Sequence, residues 1–166
     1  MRVIGIFVAV LLTLGTASAQ ERGPSTPEER ATAVKLARLL ETDPLGPQAK
    51  DARQWLTVWL IEVPDITVSM CDLLDAPHSA KKYSAEITTQ TLYSGATFII
   101  EHPDSTNDQS AVYRAGLEGA LKAYEAIRQQ KPKYVWPLLD ELRHQRDSGA
   151  LQEFVEAAVR KCAAKQ

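Results

Sequence analysis

Apolar residues recur at intervals of three and four along most of the chain, and prolines and glycines interrupt this pattern. The spacing places the apolar side chains on one face of a helix, whereas a half-buried strand would require strict alternation. The clearest example is the last segment, whose apolar face carries Leu151, Phe154, Val155, Ala158, Val159 and Cys162. The pattern therefore predicts an all-α fold, a single-domain bundle of six or seven helices of which several are short.

Helix start and stop signals divide the chain into segments. Thr26-Pro27-Glu28-Glu29 combines a capping threonine, a proline at the first helical position and a glutamate that can reach back to the cap, which predicts a helix to about Thr42. The other predicted helices cover roughly 47–63, 65–74, 79–101, 108–130, 137–148 and 151–162. We expect 47–63 to be the most buried helix, because few polar residues lie between Trp55 and Val63. Close packing against another helix is predicted for a ridge of small residues, Gly116, Gly119 and Ala123.

The segment 79–101 is ambiguous because it is rich in β-branched and aromatic residues. Ser94-Gly95 could turn a hairpin over 86–101, and the fold would then be α+β. Neither face of such a strand would be cleanly apolar, and an isolated hairpin without a third strand is marginally stable. We therefore predict a helix here, with the hairpin as the alternative.

Residues 1–19 have the features of a secretory signal peptide. Arg2 supplies a positive start, an apolar run covers 3–14, and Ala17-Ser18-Ala19 offers the small side chains that signal peptidase accepts. The apolar run is short for a transmembrane helix. We expect cleavage after Ala19, a flexible N-terminus at 20–25, a helical domain at 26–166, and a periplasmic or secreted protein that is not held at the membrane after cleavage.

Charge and cysteine content narrow the possible partners. The 19 Lys+Arg and 21 Asp+Glu residues are interspersed, so no basic stripe is available to bind phosphates, and we expect no nucleic-acid binding. Two cysteines in an exported protein favour one disulfide between Cys71 and Cys162, with two buried thiols as the alternative. The long loop that it closes predicts about 4 kcal/mol of stabilisation.

No catalytic or metal-binding motif is found in the sequence. Ser79-Ala80-Lys81-Lys82 matches the Ser-x-x-Lys motif of acyl enzymes, but the Lys-Thr-Gly motif that accompanies it is missing. The three histidines lack the spacing of metal ligands, and we expect no metal and no cofactor. The candidates for acid/base chemistry are Glu101 and His102, adjacent at a helix end, and Glu86, which could be partly buried.

One group of aromatic residues suggests a ligand pocket. Trp55 and Trp59 lie one turn apart, and with Thr91, Tyr93 and Tyr124 they could line a site for a small amphipathic ligand, although ordinary core packing is the favoured explanation of these residues.

Three functions are compatible with these features. The export signal, the acidic balance and the lack of catalytic spacing favour a module that binds an unknown protein partner. A carrier of a small amphipathic ligand is the second hypothesis. An enzyme whose site is assembled from distant residues is the third.

Overall fold

The computed structural model describes residues 22–69, 74 and 82–163, and this part of the chain contains six α-helices and no strands. The helices are α1 (Pro27–Thr42), α2 (Ala49–Glu62), α3 (Ser84–Glu101), α4 (Gln109–Gln130), α5 (Pro137–Ser148) and α6 (Leu151–Ala163). A 3-10 turn at Pro103–Ser105 connects α3 to α4. The predicted all-α bundle is confirmed. The alternative hairpin at 86–101 is wrong, because this segment is helical as part of α3.

The helix boundaries follow the start and stop signals in the sequence. The Thr26 hydroxyl accepts the N–H of Glu29 at 3.2 Å, and the Glu29 carboxylate accepts the N–H of Thr26 at 2.9 Å, which completes the capping box of α1. Asp108 caps α4 by accepting the N–H of Ala111. Helix α5 ends at Gly149, whose φ of 82° is a left-handed conformation that is accessible to glycine without strain.

Helices α3 and α4 form the centre of the bundle, and their backbones approach closely where α4 carries glycine. A Cβ atom at Gly116 would lie 2.5 Å from the carbonyl oxygen of Thr91. A Cβ atom at Gly119 would lie 1.9 Å from the hydroxyl oxygen of Ser94. The ridge of small residues on α4 therefore allows the close helix packing that the sequence predicted.

The apolar core is divided into two clusters. The first lies among α1, α2 and α3 and includes the buried side chains of Leu40, Leu56 and Trp59. The second lies among α4, α5 and α6 and includes Leu117 and Tyr124. Both α3 and α4 contribute side chains to each cluster, so this central pair connects the two halves of the bundle.

The predicted third helix at 65–74 is wrong for residues 65–69, which are not helical. Asp65 does not cap a helix there. Its carboxylate instead accepts the N–H and the hydroxyl of Ser25, each at 2.8 Å. The remainder of that helix, apart from Leu74, falls on residues outside the described part of the chain.

The expectation that α2 is the most buried helix is also wrong, because α4 buries more of its residues. On α2 the side chains of Val58 and Ile61 are 47% and 78% exposed. Between Trp55 and Ile61 the only polar residue is Thr57, so apolar side chains point to most sides of this part of the helix, and the bundle covers only one side of it. The other side is left with apolar residues facing solvent.

Several predictions concern residues outside the described part of the chain. The signal peptide at 1–19, the Ser-x-x-Lys motif at Ser79 and the cysteine at Cys71 belong to this group. Cys162 is half-buried on α6, but its predicted disulfide partner is not described, so the bond between them stays a prediction.

Candidate functional site

A cleft of about 470 Å³ lies along α2, where the two exposed apolar side chains are found. Its lining residues come from the N-terminal segment, α1 and α2, and they are Arg22, Glu29, Asp51, Gln54, Trp55, Val58, Trp59 and Glu62. Ile61 lies one turn beyond Val58 on the same helix. The cleft therefore combines aromatic, aliphatic and charged groups on one accessible surface.

The aromatic part of the cleft is a stacked pair of tryptophans. Trp55 and Trp59 are four residues apart, a spacing that brings side chains together on a helix. Their ring centroids are 5.7 Å apart and their planes differ by 12°. Trp59 is buried in the first core cluster, whereas Trp55 is only half-buried. The outer ring at the cleft therefore packs against a ring that belongs to the core.

The charged part of the cleft is predominantly acidic. Glu29, Asp51 and Glu62 contribute three carboxylates, and Arg22 contributes one guanidinium. Arg22 forms ion pairs with both Glu29 and Glu62, the latter at 3.2 Å. A hydrogen bond from the Thr26 backbone, together with the Arg22 guanidinium, holds the pKa of Glu29 below its usual value despite the opposing effect of burial. Glu29 is therefore ionised at neutral pH.

The residues predicted to line a ligand pocket do not all lie together. Trp55 and Trp59 line the cleft, and Tyr93 belongs to the same core cluster as Trp59, beneath α2. The hydroxyl of Tyr93 is 2.8 Å from that of Thr57 on α2 and donates to the carbonyl oxygen of Arg53.

Thr91 and Tyr124 lie elsewhere in the bundle. The backbone of Thr91 packs against Gly116 of α4, and Tyr124 is fully buried in the second core cluster. The Tyr124 hydroxyl accepts the N–H of Trp136 at 3.0 Å, which is typical of a buried tyrosine in a protein core.

A second cleft, of about 420 Å³, lies among α1, α3 and α4 and contains two of the candidate acid/base residues, Glu101 and His102. The ring of His102 packs against Phe98 with centroids 4.5 Å apart. Glu86 lies apart from them near Tyr134, whose pKa is raised to about 12 by burial and to a smaller extent by neighbouring groups that include Glu86. The three candidates therefore do not form one site.

A buried polar cluster that was not predicted from the sequence lies beside this second cleft. Glu41 is only 4% exposed, and its carboxylate accepts hydrogen bonds from Ser94 at 2.8 Å, Lys122 at 3.1 Å and Arg38 at 3.1 and 3.2 Å. Its position four residues after Ala37, on the apolar face of α1, was the signal that could have revealed it.

The charges in the second cleft neutralise one another. Arg38 also binds Glu101 at 2.9 Å, and Arg114 binds Glu118 at 2.9 Å. A carboxylate that is already paired with a cation is a poor general base, because the ion pair stabilises its ionised form. This arrangement is typical of a structural ion network.

The sequence also gave no indication of the role of Arg22. The residues that bind it, Glu29 and Glu62, lie 7 and 40 residues further along the chain, so no helical spacing or motif connects them to Arg22. Val58 and Ile61 belong to the segment that was predicted to be the most buried helix, whereas both side chains are exposed.

Comparison with protein-family models, with curated proteins and with solved structures found no match for this chain. Among the described helices, none is long and apolar enough to cross a membrane. Within residues 22–69, 74 and 82–163, no group of three or more histidine, cysteine, aspartate or glutamate side chains is placed to hold a metal ion.

Proposed function

We propose that this protein is an exported interaction module that binds a partner protein through the outer side of α2. We call this surface the α2 face and define it as Asp51, Trp55, Val58, Ile61 and Glu62. The observation that carries the proposal is the exposure of Val58 and Ile61, 47% and 78%, on a helix whose cleft is lined by Val58 and a stacked tryptophan pair. Exposed apolar groups that lie together and are bordered by polar residues are typical of protein-interaction sites.

The apolar residues of the α2 face would supply most of the binding free energy. Complete burial of one valine or isoleucine side chain is worth about 1.5–3 kcal/mol relative to leaving it exposed. Val58 and Ile61 are already partly covered, so each can contribute a fraction of this amount. Trp55 adds a large aromatic surface, and because it is stacked on Trp59, little conformational entropy is lost when a partner contacts it.

The carboxylates around the α2 face determine the chemistry of the partner. Asp51, Glu62 and the neighbouring Glu29 create a negative potential that only Arg22 offsets within the cleft. Charge complementarity therefore favours a partner segment that carries a cationic side chain next to an apolar one. Such a segment would place its apolar residue on Ile61 and its cation in the cleft.

The alternatives have less support. A carrier pocket was expected to include Thr91 and Tyr124, and both lie away from the cleft. An enzyme was expected to combine the three acid/base candidates in one site, whereas Glu101 in the second cleft is ion-paired with Arg38 and Glu86 lies elsewhere. We therefore favour protein binding over ligand carriage or catalysis.

Selection of peptides from a random displayed library with the chain 20–166 would test the proposal. We expect the selected peptides to carry an arginine or lysine next to an apolar residue. Ile61→Asp should weaken their binding by about 1–2 kcal/mol, or about 5- to 30-fold, because it replaces apolar contact with a charge that must be desolvated.

Val135→Asp is the matched control, since Val135 is 52% exposed but lies between α4 and α5, outside the α2 face. Its binding should equal that of the unmodified chain. Equal loss from both variants, or selection of acidic peptides, would overturn the proposal. Displacement of the peptides by a small amphipathic molecule of similar affinity would favour the carrier instead.

The proposal includes export and the disulfide, for which the sequence is the support. The order of charge, apolar run and small residues at 1–19 predicts a mature chain that begins at Gln20. An intact mass of the exported protein equal to 20–166 less two hydrogens would agree with both features.

A further inference from the structure

The α2 cleft holds a guanidinium group of the chain itself, which identifies the cation that fits there. Two different nitrogens of Arg22 are used, Nη2 toward Glu29 on α1 and Nη1 toward Glu62 at the end of α2. A planar guanidinium can span two carboxylates in this way, whereas the ammonium of lysine presents its three donors from a single point. The tryptophan rings that line the same cleft offer aromatic surface to a flat cation.

Arg22 is connected to the domain by a short segment that is anchored at Ser25. At Ser25 the backbone N–H and the hydroxyl both donate to Asp65, which also binds Arg30 at 2.7 Å. Between the anchor and Arg22, the space around Gly23 is open, with no atom within 4 Å of the position of a Cβ. The anchor therefore keeps Arg22 close to the cleft, and the two residues between them, Gly23 and Pro24, are exposed to solvent.

The bonds that hold Arg22 in the cleft are exchangeable. The side chains of Arg22, Glu29 and Glu62 are 31%, 32% and 55% exposed. Solvent screens ion pairs at this degree of exposure, and such pairs contribute little to stability. A competing arginine with additional apolar contacts can therefore take the place of Arg22.

We propose that the partner residue recognised by the cleft is an arginine, and that Arg22 occupies its site in the unbound protein as an internal competitor. This inference rests on the proposed function of the α2 face. Binding of a partner then requires displacement of Arg22, so the N-terminal segment sets the apparent affinity of the module. Removal of the Arg22 side chain should strengthen binding, which is the opposite of what loss of an ordinary interface residue would do.

The first test compares affinities for an arginine-containing peptide selected as above, measured by calorimetry on chain 20–166. Arg22→Ala should bind about three- to tenfold more tightly, because the peptide no longer has to break the exposed ion pairs of Arg22 before it binds. Arg160→Ala is the matched control, because Arg160 is 72% exposed on α6 and its removal changes the net charge equally. That variant should bind as the unmodified chain does. Equal or weaker binding by Arg22→Ala would overturn the inference.

The second test uses N-acetylarginine amide as a minimal probe and does not depend on a peptide partner. In Arg22→Ala this probe should shift the indole NMR signals of Trp55 and Trp59, and N-acetyllysine amide should shift them much less. Shifts without any peptide binding would support the arginine site and overturn the proposed function. Peptide binding without probe shifts would overturn the arginine site and leave the proposed function standing.

Discussion

Replacing Gly116 with alanine tests how closely the two central helices must approach. The added Cβ would lie 2.5 Å from the carbonyl oxygen of Thr91 and 3.3 Å from its carbonyl carbon. An ordinary carbon–oxygen contact is about 3.3–3.6 Å, so α3 and α4 would have to separate locally by about 1 Å. The obstructing atoms belong to the backbone of a helix and cannot rotate away as a side chain would.

Two opposing effects determine the size of the change. Alanine in a helix interior is favoured over glycine by about 1 kcal/mol. Overpacking of a well-packed interior costs about 1–3 kcal/mol and occasionally more, and the backbone contact places Gly116→Ala at the upper end. We therefore expect a net loss of about 2 kcal/mol in the free energy of unfolding. For a domain of this size the melting temperature should fall by about 4–8 °C.

Urea and thermal unfolding followed by far-UV circular dichroism would measure this loss. Gly95→Ala is the control, because its Cβ would meet methyl groups of Val68 and Val112 at 3.1 and 3.4 Å, and these side chains can move. That variant should stay within about 1 kcal/mol of the unmodified protein. Full stability of Gly116→Ala, or an equal loss in Gly95→Ala, would refute the requirement for close backbone contact.

Three further predictions concern single groups. Burial raises the pKa of Asp65, but hydrogen bonds from Ser25 and Arg30 outweigh it and bring the value to about 2. Because the folded pKa is depressed, this stabilisation is complete above about pH 4 and is lost as the pH falls toward 2. Acid unfolding of Asp65→Asn should lack that component, about 1 kcal/mol after solvent screening, and unchanged acid sensitivity would contradict the assignment. Glu41→Gln should lower the free energy of unfolding by about 1–3 kcal/mol in urea titrations, because the amide no longer pairs with cations; unaltered stability would show that the buried carboxylate is dispensable. Reduction of the predicted disulfide between Cys71 and Cys162 should lower the melting temperature by several degrees, and two reactive thiols in the untreated, denatured protein would disprove the bond.

Local signals in the sequence were sufficient for the six helices that form and for the contact between α3 and α4, but they also predicted a helix at 65–74 that is not present at 65–69. The capping box at Thr26 and the glycine at Gly149 each define a boundary from a few neighbouring residues. For residues 86–101, no second strand was predicted that could pair with them, which favoured a helix, and this prediction is confirmed. The small residues of α4 predicted close packing, because a missing side chain is visible in the sequence itself.

The orientation of α2 could not be predicted in the same way. Helical spacing shows which residues share a face, but Thr57 is the only polar residue between Trp55 and Ile61, so several faces of this part of α2 qualify as the buried one. The bundle covers the side that bears Leu56 and Trp59 and leaves Val58 and Ile61 outside. This choice depends on how α1 and α3 pack against α2, and it is a property of the tertiary structure.

The contacts of the candidate site are also distant in the chain. Arg22 binds Glu62 across 40 residues, and Ser25 binds Asp65 across the same separation. Neither pair has a sequence signature, since any exposed arginine could meet any exposed carboxylate. The same limitation explains why Glu101 and His102 were found together, as chain neighbours, whereas Glu86 was grouped with them without being close in space.

The two core clusters imply that the two halves of the bundle unfold locally as separate units. The amide hydrogens of α1 and α2 are protected from exchange by one cluster, and those of α5 and α6 are protected by the other. Exchange with deuterium should therefore report one free energy of opening for α1 and α2 and a different one for α5 and α6. Helices α3 and α4 contribute side chains to both clusters, and their amides should be the slowest to exchange. A partner bound at α2 would then slow exchange in the N-terminal half and leave the C-terminal pair nearly unchanged, so that occupancy could be followed from one half of the molecule with the other half as an internal reference.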